Sequence, residues 1–217
     1  SMNYQGYLFD FDYTLANSEK GIVGCFQRTM EKLGYAPRPV DEIRQTIGLP
    51  MENATARLIA RDVQKDAVEI NNFIESYRQD ADHSMTANTF FYADTLSTLR
   101  TLRASQAKIG IISTKTRHRI EEKFQQDDVL NLIDFIIGRE DVAQPKPDPE
   151  GIQQAIARLN LPKEQILYTG DSLVDAKTAQ NASVSFAAVT TGTTPAEAFQ
   201  SLPHIRIMHH LRELLQP

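Results

Sequence analysis

Carboxylates, hydroxyls and a lysine recur in this sequence at the ends of short apolar runs or in the loops that follow them. They are Asp10, Asp12, Ser113, Lys146, Asp171 and Asp175. If these side chains meet, their several carboxylates repel one another and are costly to remove from water. A hard divalent cation relieves that cost, and Mg²⁺ prefers a few carboxylates together with water and phosphate oxygens.

Such a set of side chains is suited to phosphoryl transfer. A lysine and a hydroxyl beside a metal bind the non-bridging oxygens of a phosphoryl group. One carboxylate can attack phosphorus and form an aspartyl-phosphate. A second carboxylate can protonate the leaving oxygen and later activate water.

The apolar runs predict strands that are buried on both faces, as in a parallel sheet. They are Tyr7–Phe9, Lys108–Ile112, Phe135–Ile137, Ile166–Thr169 and Val184–Val189. Helix-length segments separate the later runs, and this alternation predicts an α/β fold. Ligands bind outside the carboxyl ends of the strands in such a sheet, so the polar residues are expected to converge at one edge.

Residues 16–88 contain no strand-like run and predict an inserted all-helical block. Apolar residues recur at helical spacing from Ile22 to Leu33, and Gly34 follows as a C-cap. Further helices are predicted over 41–47, 51–60 and 65–77. We therefore predict two domains: an α/β core of residues 1–15 and 89–217, and a helical domain of residues 16–88.

Composition excludes several classes of protein and site. The 217 residues carry a formal net charge of −5 and contain no basic block, which disfavours nucleic acid and anionic membranes as partners. The single cysteine, Cys25, excludes a disulfide within the chain and a cysteine-rich zinc site, and its apolar neighbours predict a packed side chain. Without an apolar span or a signal-like start, we expect a soluble, cytoplasmic protein.

The sequence Asp10-Phe11-Asp12-Tyr13-Thr14-Leu15 resembles the first motif of the haloacid dehalogenase superfamily of phosphatases. Ser113, Lys146 and the segment from Gly170 to Asp175 resemble its second, third and fourth motifs, in the right order. The resemblance covers essentially the whole chain. It implies a Rossmann-like core with a small α-helical cap inserted after the first motif, as in phosphoglycolate phosphatases and β-phosphoglucomutases.

The resemblance also implies roles for the charged residues. Asp10 would be the nucleophile and a Mg²⁺ ligand, and Asp12 the general acid and base, with its backbone carbonyl on the metal. Lys146 would bridge the phosphate and Asp10. Asp171 would be the second metal carboxylate. Asp175 would either ligate the metal through water or orient Lys146.

Neutral residues of the motifs have implied roles as well. Thr14 would hold the Asp12 loop, and the Ser113 hydroxyl and Thr114 amide would bind phosphate. Two departures from the family pattern are Tyr13, where many relatives have a glycine or small residue, and Asn181, in an Asn-Ala pair where many have Ala-Gly.

Three further candidates each have two interpretations. Lys115 would bind substrate or be a surface lysine at the start of a helix. Asn17 would face the substrate or cap a helix. Gly48 would lie in a turn facing the active site or simply end a helix.

The resemblance implies a Mg²⁺-dependent phosphatase that hydrolyses a small phosphorylated metabolite, phosphoglycolate-like, as a monomer or homodimer. Inorganic pyrophosphatase activity is an alternative. A sugar-phosphate mutase usually needs an arginine near the Gly48 turn, and residues 46–51 contain none. A non-catalytic binding protein would normally have lost Asp10 or Lys146, and a dehalogenase is disfavoured because Asp12 is retained.

Overall fold

The computed structural model of the protein describes residues 3–217, which divide into two compact units. One unit, here called the helical unit, comprises Asn17–Phe90. The other, the sheet unit, comprises the described residues up to Ala16 together with Phe91–Pro217. The corresponding range in the sequence analysis is 16–88 for the inserted helical block.

The strands of the described chain are short. They are β1 (Gly6–Phe9), β2 (Ala16–Asn17), β3 (Phe90–Phe91), β4 (Lys108–Ile112), β5 (Phe135–Ile137), β6 (Ile166–Gly170), β7 (Ser185–Val189) and β8 (Arg206–Met208). Six of them form one sheet in the order β5-β4-β1-β6-β7-β8, and neighbours pair in parallel. The parallel sheet confirms the predicted α/β fold.

Helices follow most strands and fill the helical unit. They are α1 (Glu19–Leu33), α2 (Val40–Arg44), α3 (Met51–Ile59), α4 (Ala67–Ser84), α5 (Thr95–Ala104), α6 (Arg117–Gln126), α7 (Glu150–Leu159) and α8 (Leu173–Ala182). Alternate residues of β1 enter different clusters: Phe9 packs in one with Phe124 of α6, and Leu8 in another with Ile152 of α7. Both faces of the sheet are therefore buried, which explains the continuous apolar runs.

The strand register brings three strand ends to the same edge of the sheet. Phe9, the last residue of β1, pairs with Ile111 of β4 and with Thr169 of β6. The residue after Phe9 is Asp10, and Ser113 and Asp171 directly follow β4 and β6. Topology alone thus collects the first, second and fourth motifs at one edge.

In the helical unit, an apolar core forms around aromatic side chains. Phe26 of α1 packs against Phe73 and Tyr77 of α4. Cys25 is fully buried, as predicted, and burial raises the pKa of its thiol to about 11. Gly34 ends α1 with a φ of 79°, as the C-cap prediction requires. Within the described residues, no helix is long and apolar enough to cross a membrane.

Four local predictions differ from the structure. Helix α2 ends at Arg44 rather than Ile47, because the following amides bond three residues back in tight turns. Helix α4 continues to Ser84. The two-residue strands β2 and β3 pair with each other, so the segment 16–88 is not free of strand pairing. Strand β8 was not predicted, because of its three residues only Met208 is buried.

Candidate active site

The loop after β1 is a tight turn built around one carbonyl. The backbone oxygen of Phe11 accepts bonds from the amides of Thr14, Leu15 and Ala16. Tyr13 adopts a φ of 64°, the left-handed region that favours glycine. The Thr191 hydroxyl donates to the Tyr13 carbonyl at 2.6 Å and helps to hold this conformation.

Asp10, Lys146 and Asp175 form a buried ionic cluster at the edge of the sheet. The Lys146 ammonium lies 3.3 Å from Asp10 Oδ2 and 2.7 Å from Asp175 Oδ1. The three side chains are at most 5% exposed. Ion pairs removed from water in this way are strongly held only when further hydrogen bonds complete them. The cluster therefore holds the Lys146 ammonium beside the Asp10 carboxylate.

Asp175 uses both of its oxygens in hydrogen bonds within the protein. Oδ1 accepts from Lys146 Nζ and from the Tyr168 hydroxyl. Oδ2 accepts from the Asp171 amide at 3.1 Å and from the Ser172 hydroxyl at 3.1 Å. Of the two roles left open for Asp175, these contacts favour the orientation of Lys146.

Asp171 follows β6 and is held by the loop after β1. The Thr14 hydroxyl donates to Asp171 Oδ1 at 2.9 Å, so this threonine contacts the fourth motif as well as belonging to the first. Gly192, in the loop after β7, passes so close that an added Cβ would lie 2.3 Å from Asp171 Oδ2. Only glycine allows this approach.

Burial and mutual repulsion shift the pKa values of the three carboxylates in different directions. Burial, then the Asp175 charge, raises the pKa of Asp10 to about 8. Burial and the charges of Asp175 and Asp10 raise the pKa of Asp171 well above its ordinary value. Burial also opposes the charge of Asp175, but the Lys146 ammonium and the hydrogen bonds to Asp175 outweigh it and lower its pKa. One lysine thus does not neutralise three carboxylates.

The carboxylates can hold a metal ion. One oxygen from each of Asp10, Asp171 and Asp175 lies within 4.8 Å of the others, and all three residues are buried. Their oxygen chemistry suits a hard divalent cation. A bound cation would offset the repulsion that raises the pKa of Asp10 and of Asp171, and so would favour their charged forms.

The second motif lies beside this cluster. Ser113 and Thr114 follow β4 and, with Lys146, line a small cleft. Lys115 is not a surface lysine: its side chain is 9% exposed, and its ammonium lies 3.1 Å from Asp12 Oδ1. The Lys115 amide also donates to the Ser113 hydroxyl at 3.1 Å. The general acid and base predicted at Asp12 is therefore paired with a lysine.

Two predicted substrate contacts lie in the helical unit. Asn17 lies one residue before Ser18, the N-cap of α1, and its Oδ1 accepts from the Glu19 amide at 3.1 Å, the first amide of that helix. Gly48 lies in the turn before α3 with a φ of 102°, so the backbone itself requires glycine there. Gly48 does not end a helix, because α2 ends at Arg44. Contact of Asn17 or Gly48 with substrate stays a prediction.

Sequence analysis missed three residues that touch the site. Tyr168 and Gly192 are described above; the only signal for Tyr168 was a hydroxyl within an otherwise apolar strand. Asn181 was noted as a departure from the family without a role. Its side-chain amide donates to the Pro147 carbonyl at 2.8 Å and so anchors the loop that carries Lys146.

Comparison with known proteins identifies the family of the chain. A family model for haloacid dehalogenase-like hydrolases matches residues 7–189. A phosphoglycolate phosphatase from Cereibacter sphaeroides is 33% identical over 214 residues, covering 96% of this chain and 95% of the relative. A pyrophosphatase from Bacillus cereus is 28% identical over 185 residues, covering 84% and 82%.

A solved structure extends the similarity to three dimensions. A protein from Bacteroides fragilis assigned to the haloacid dehalogenase-like hydrolases is 46% identical, with a TM-score of 0.93 over 97% of this chain and 99% of that one. The chain belongs to the haloacid dehalogenase-like hydrolase family and is a phosphatase of that family.

Proposed function

We propose that the protein is a Mg²⁺-dependent phosphatase that hydrolyses a small phosphomonoester through a phosphorylated Asp10. The observation that carries the proposal is the buried cluster in which Asp10 contacts Lys146 and shares a potential metal site with Asp171. Asp10, the Asp12 carbonyl and Asp171 would hold the ion. When bound, Mg²⁺ supplies positive charge that stabilises the transferring phosphoryl oxygens.

The side chains divide the chemistry between them. Asp10 Oδ2 attacks phosphorus while Lys146 balances the charge that develops on the phosphoryl oxygens. Asp12 gives its proton to the leaving oxygen, and the alcohol departs. Asp12 then takes a proton from water, which attacks the aspartyl-phosphate and releases inorganic phosphate and free Asp10. Ser113 and Thr114 orient the phosphoryl group at the end of β4.

The substrate we favour is phosphoglycolate-like, because the relative that is 33% identical over nearly the whole chain is a phosphoglycolate phosphatase. Pyrophosphate is the second candidate, since the Bacillus cereus relative is a pyrophosphatase. A panel of phosphoglycolate, other small phosphomonoesters and pyrophosphate, assayed with Mg²⁺, separates the two. Preference for pyrophosphate over every ester would overturn the phosphomonoester proposal.

We expect Lys115 to position the Asp12 side chain and not to bind the phosphate. Replacing it in Lys115→Met removes the ammonium that lies 3.1 Å from Asp12 Oδ1. We expect kcat with alkyl phosphates to fall roughly 10- to 100-fold, part of what general acid–base catalysis contributes. Aryl phosphates have better leaving groups that depend less on protonation by Asp12, so their kcat should fall less. Steady-state kinetics with both substrate classes measures the difference.

The control for this prediction is Lys177→Met, which removes an exposed lysine from α8 of the same unit. It should leave kcat unchanged. Adding Lys115→Met to Asp12→Asn should cost little more than Asp12→Asn alone. If Lys115→Met instead raises KM equally for all substrates, Lys115 binds the phosphate.

We further propose that the helical unit acts as a cap that selects the substrate, and that the Gly48 turn takes part. Gly48 and Gly34 form a matched pair: both lie in this unit at positive φ, and an added Cβ meets nothing within 4 Å at either. An arginine at either position strains the backbone, at a cost of roughly 1–3 kcal/mol.

Comparison of Gly48→Arg with Gly34→Arg isolates the effect on selection. We expect only Gly48→Arg to change the ratio of kcat/KM between phosphoglycolate and p-nitrophenyl phosphate, because the small aryl ester needs fewer cap contacts. Equal changes in the two variants would show that backbone strain, and not substrate contact, is the cause.

A further inference from the structure

The hydroxyl of Tyr168 lies within the ionic cluster, and the mechanism above does not use it. Tyr168 belongs to β6 and is fully buried. Its hydroxyl donates to Asp175 Oδ1 at 2.8 Å and accepts from Lys146 Nζ at 3.0 Å. The carbonyl of Ile112 lies 3.2 Å from the same hydroxyl. A polar group placed in a closed apolar strand needs such partners, and here they are the charged residues of the site.

The surroundings of Lys146 show what this hydroxyl can do. An ammonium has three protons and rotates about its terminal bond, so its direction is set by its acceptors. Asp175 and Tyr168 are its two nearest, at 2.7 and 3.0 Å, and the Ile112 carbonyl is at 3.4 Å. Asp10, the group that must react, is at 3.3 Å. The two shorter contacts therefore direct the ammonium, and the third direction is left for Asp10 and the phosphoryl group.

We propose that Tyr168 is a positioning residue for phosphoryl transfer, whose hydroxyl holds the Lys146 ammonium in line with Asp10. The inference rests on the proposed function of this site. A tyrosine suits the task because its ring is rigid and packs beside Phe186, with ring centroids 6.2 Å apart. Burial of the ring in the sheet helps to fix the place of its hydroxyl. Preorganised groups of this kind lower the cost of reaching the transition state.

The test is Tyr168→Phe, which removes the hydroxyl and retains the ring. We expect kcat to fall about tenfold, which corresponds to about 1.4 kcal/mol, and KM to change less than twofold. The loss should be the same for alkyl and aryl phosphates, because Lys146 acts on the phosphoryl oxygens and not on the leaving group. A purely structural role would not produce this separation of kcat from KM.

The matched control is Tyr7→Phe. Tyr7 is a buried tyrosine of β1 in the same sheet, and its ring contacts Tyr4, not the ionic cluster. It should retain the kinetics of the unchanged protein. If Tyr168→Phe retains them too, or changes KM alone, the inference is overturned while the phosphatase proposal stands.

A second measurement decides the question without turnover. Urea unfolding of the unchanged protein, Tyr168→Phe, Lys146→Met and the double variant gives the coupling between hydroxyl and ammonium. We expect the shifts of the unfolding midpoint to be clearly non-additive, because either substitution alone removes the same contact. Additive shifts overturn the inference. If the unchanged protein hydrolyses no phosphate ester, the proposed function is wrong, and this coupling alone decides whether Tyr168 holds Lys146.

Discussion

Asp10→Asn should abolish both turnover and the phosphorylated enzyme. The amide cannot attack phosphorus, so we expect activity to fall by at least about 10⁴-fold, as when a nucleophile is removed from other enzymes. The enzyme is mixed with excess substrate and then quenched with acid. Mass spectrometry should then show a hydroxylamine-sensitive phosphoryl adduct on the unchanged protein and none on the variant.

The variant is also expected to fold. Burial and the Asp175 charge raise the pKa of Asp10 to about 8, so the site disfavours a charged Asp10 and accommodates a neutral amide of the same shape. Thermal unfolding checks this. A loss of activity with a normal melting transition then reports on chemistry.

Asp12→Asn is the matched comparison within the same motif. This variant retains the nucleophile, so aryl phosphates should still phosphorylate Asp10 at a reduced rate. Alkyl phosphates should lose about 10²–10⁴-fold, the usual contribution of general acid–base catalysis. A phosphoryl adduct on Asp10→Asn would show that another residue is the nucleophile.

The location of the site could be predicted from sequence because it depends on topology. Apolar runs predicted the parallel strands, and the carboxyl ends of parallel strands meet at one edge whatever the side chains do. Asp10 and Asp171, which directly follow β1 and β6, needed no more than this to be grouped. Lys146 lies in the loop after β5, and its long side chain allows the ammonium to extend to this edge of the sheet.

The choice of partners within the site could not be predicted. Whether Asp175 faces a metal or Lys146 depends on the side-chain hydrogen bonds around it, which the spacing of residues along the sequence does not determine. Tyr168 supplies one of these hydrogen bonds from inside an apolar strand. From its position two residues before α6, Lys115 could equally have pointed to solvent. The pairing of Lys115 with Asp12 is a property of side-chain packing, which sequence periodicity does not encode.

Removal of the metal is the second change expected to have a large effect. EDTA should abolish turnover, Mg²⁺ should restore it, and Ca²⁺ should restore it poorly because its larger and looser coordination misplaces the nucleophile. Full activity in EDTA would contradict the metal proposal. Assays of EDTA-treated, dialysed enzyme with each ion in turn give the result directly.

Two carboxylate variants should respond differently to the ion. Asp171→Asn should raise the Mg²⁺ concentration needed for half-maximal activity, because Asp171 has one oxygen held by Thr14 and remains a candidate ligand. Asp175→Asn should lower kcat instead, since both Asp175 oxygens are already bonded to protein groups. Glu164→Gln, an exposed change in the sheet unit, is the control for lost charge.

Stability provides a measure of metal binding that does not depend on catalysis. Three buried carboxylates share one lysine, so a bound cation removes repulsion that the folded state alone must bear. At Mg²⁺ concentrations about 100-fold above Kd, the gain is about 2.7 kcal/mol, or roughly 5–10 °C in Tm for a chain of this size. We expect Asp171→Asn to lose most of this increase and Glu164→Gln to retain it. An equal increase in Tm for both variants would place the ion somewhere other than the edge of the sheet.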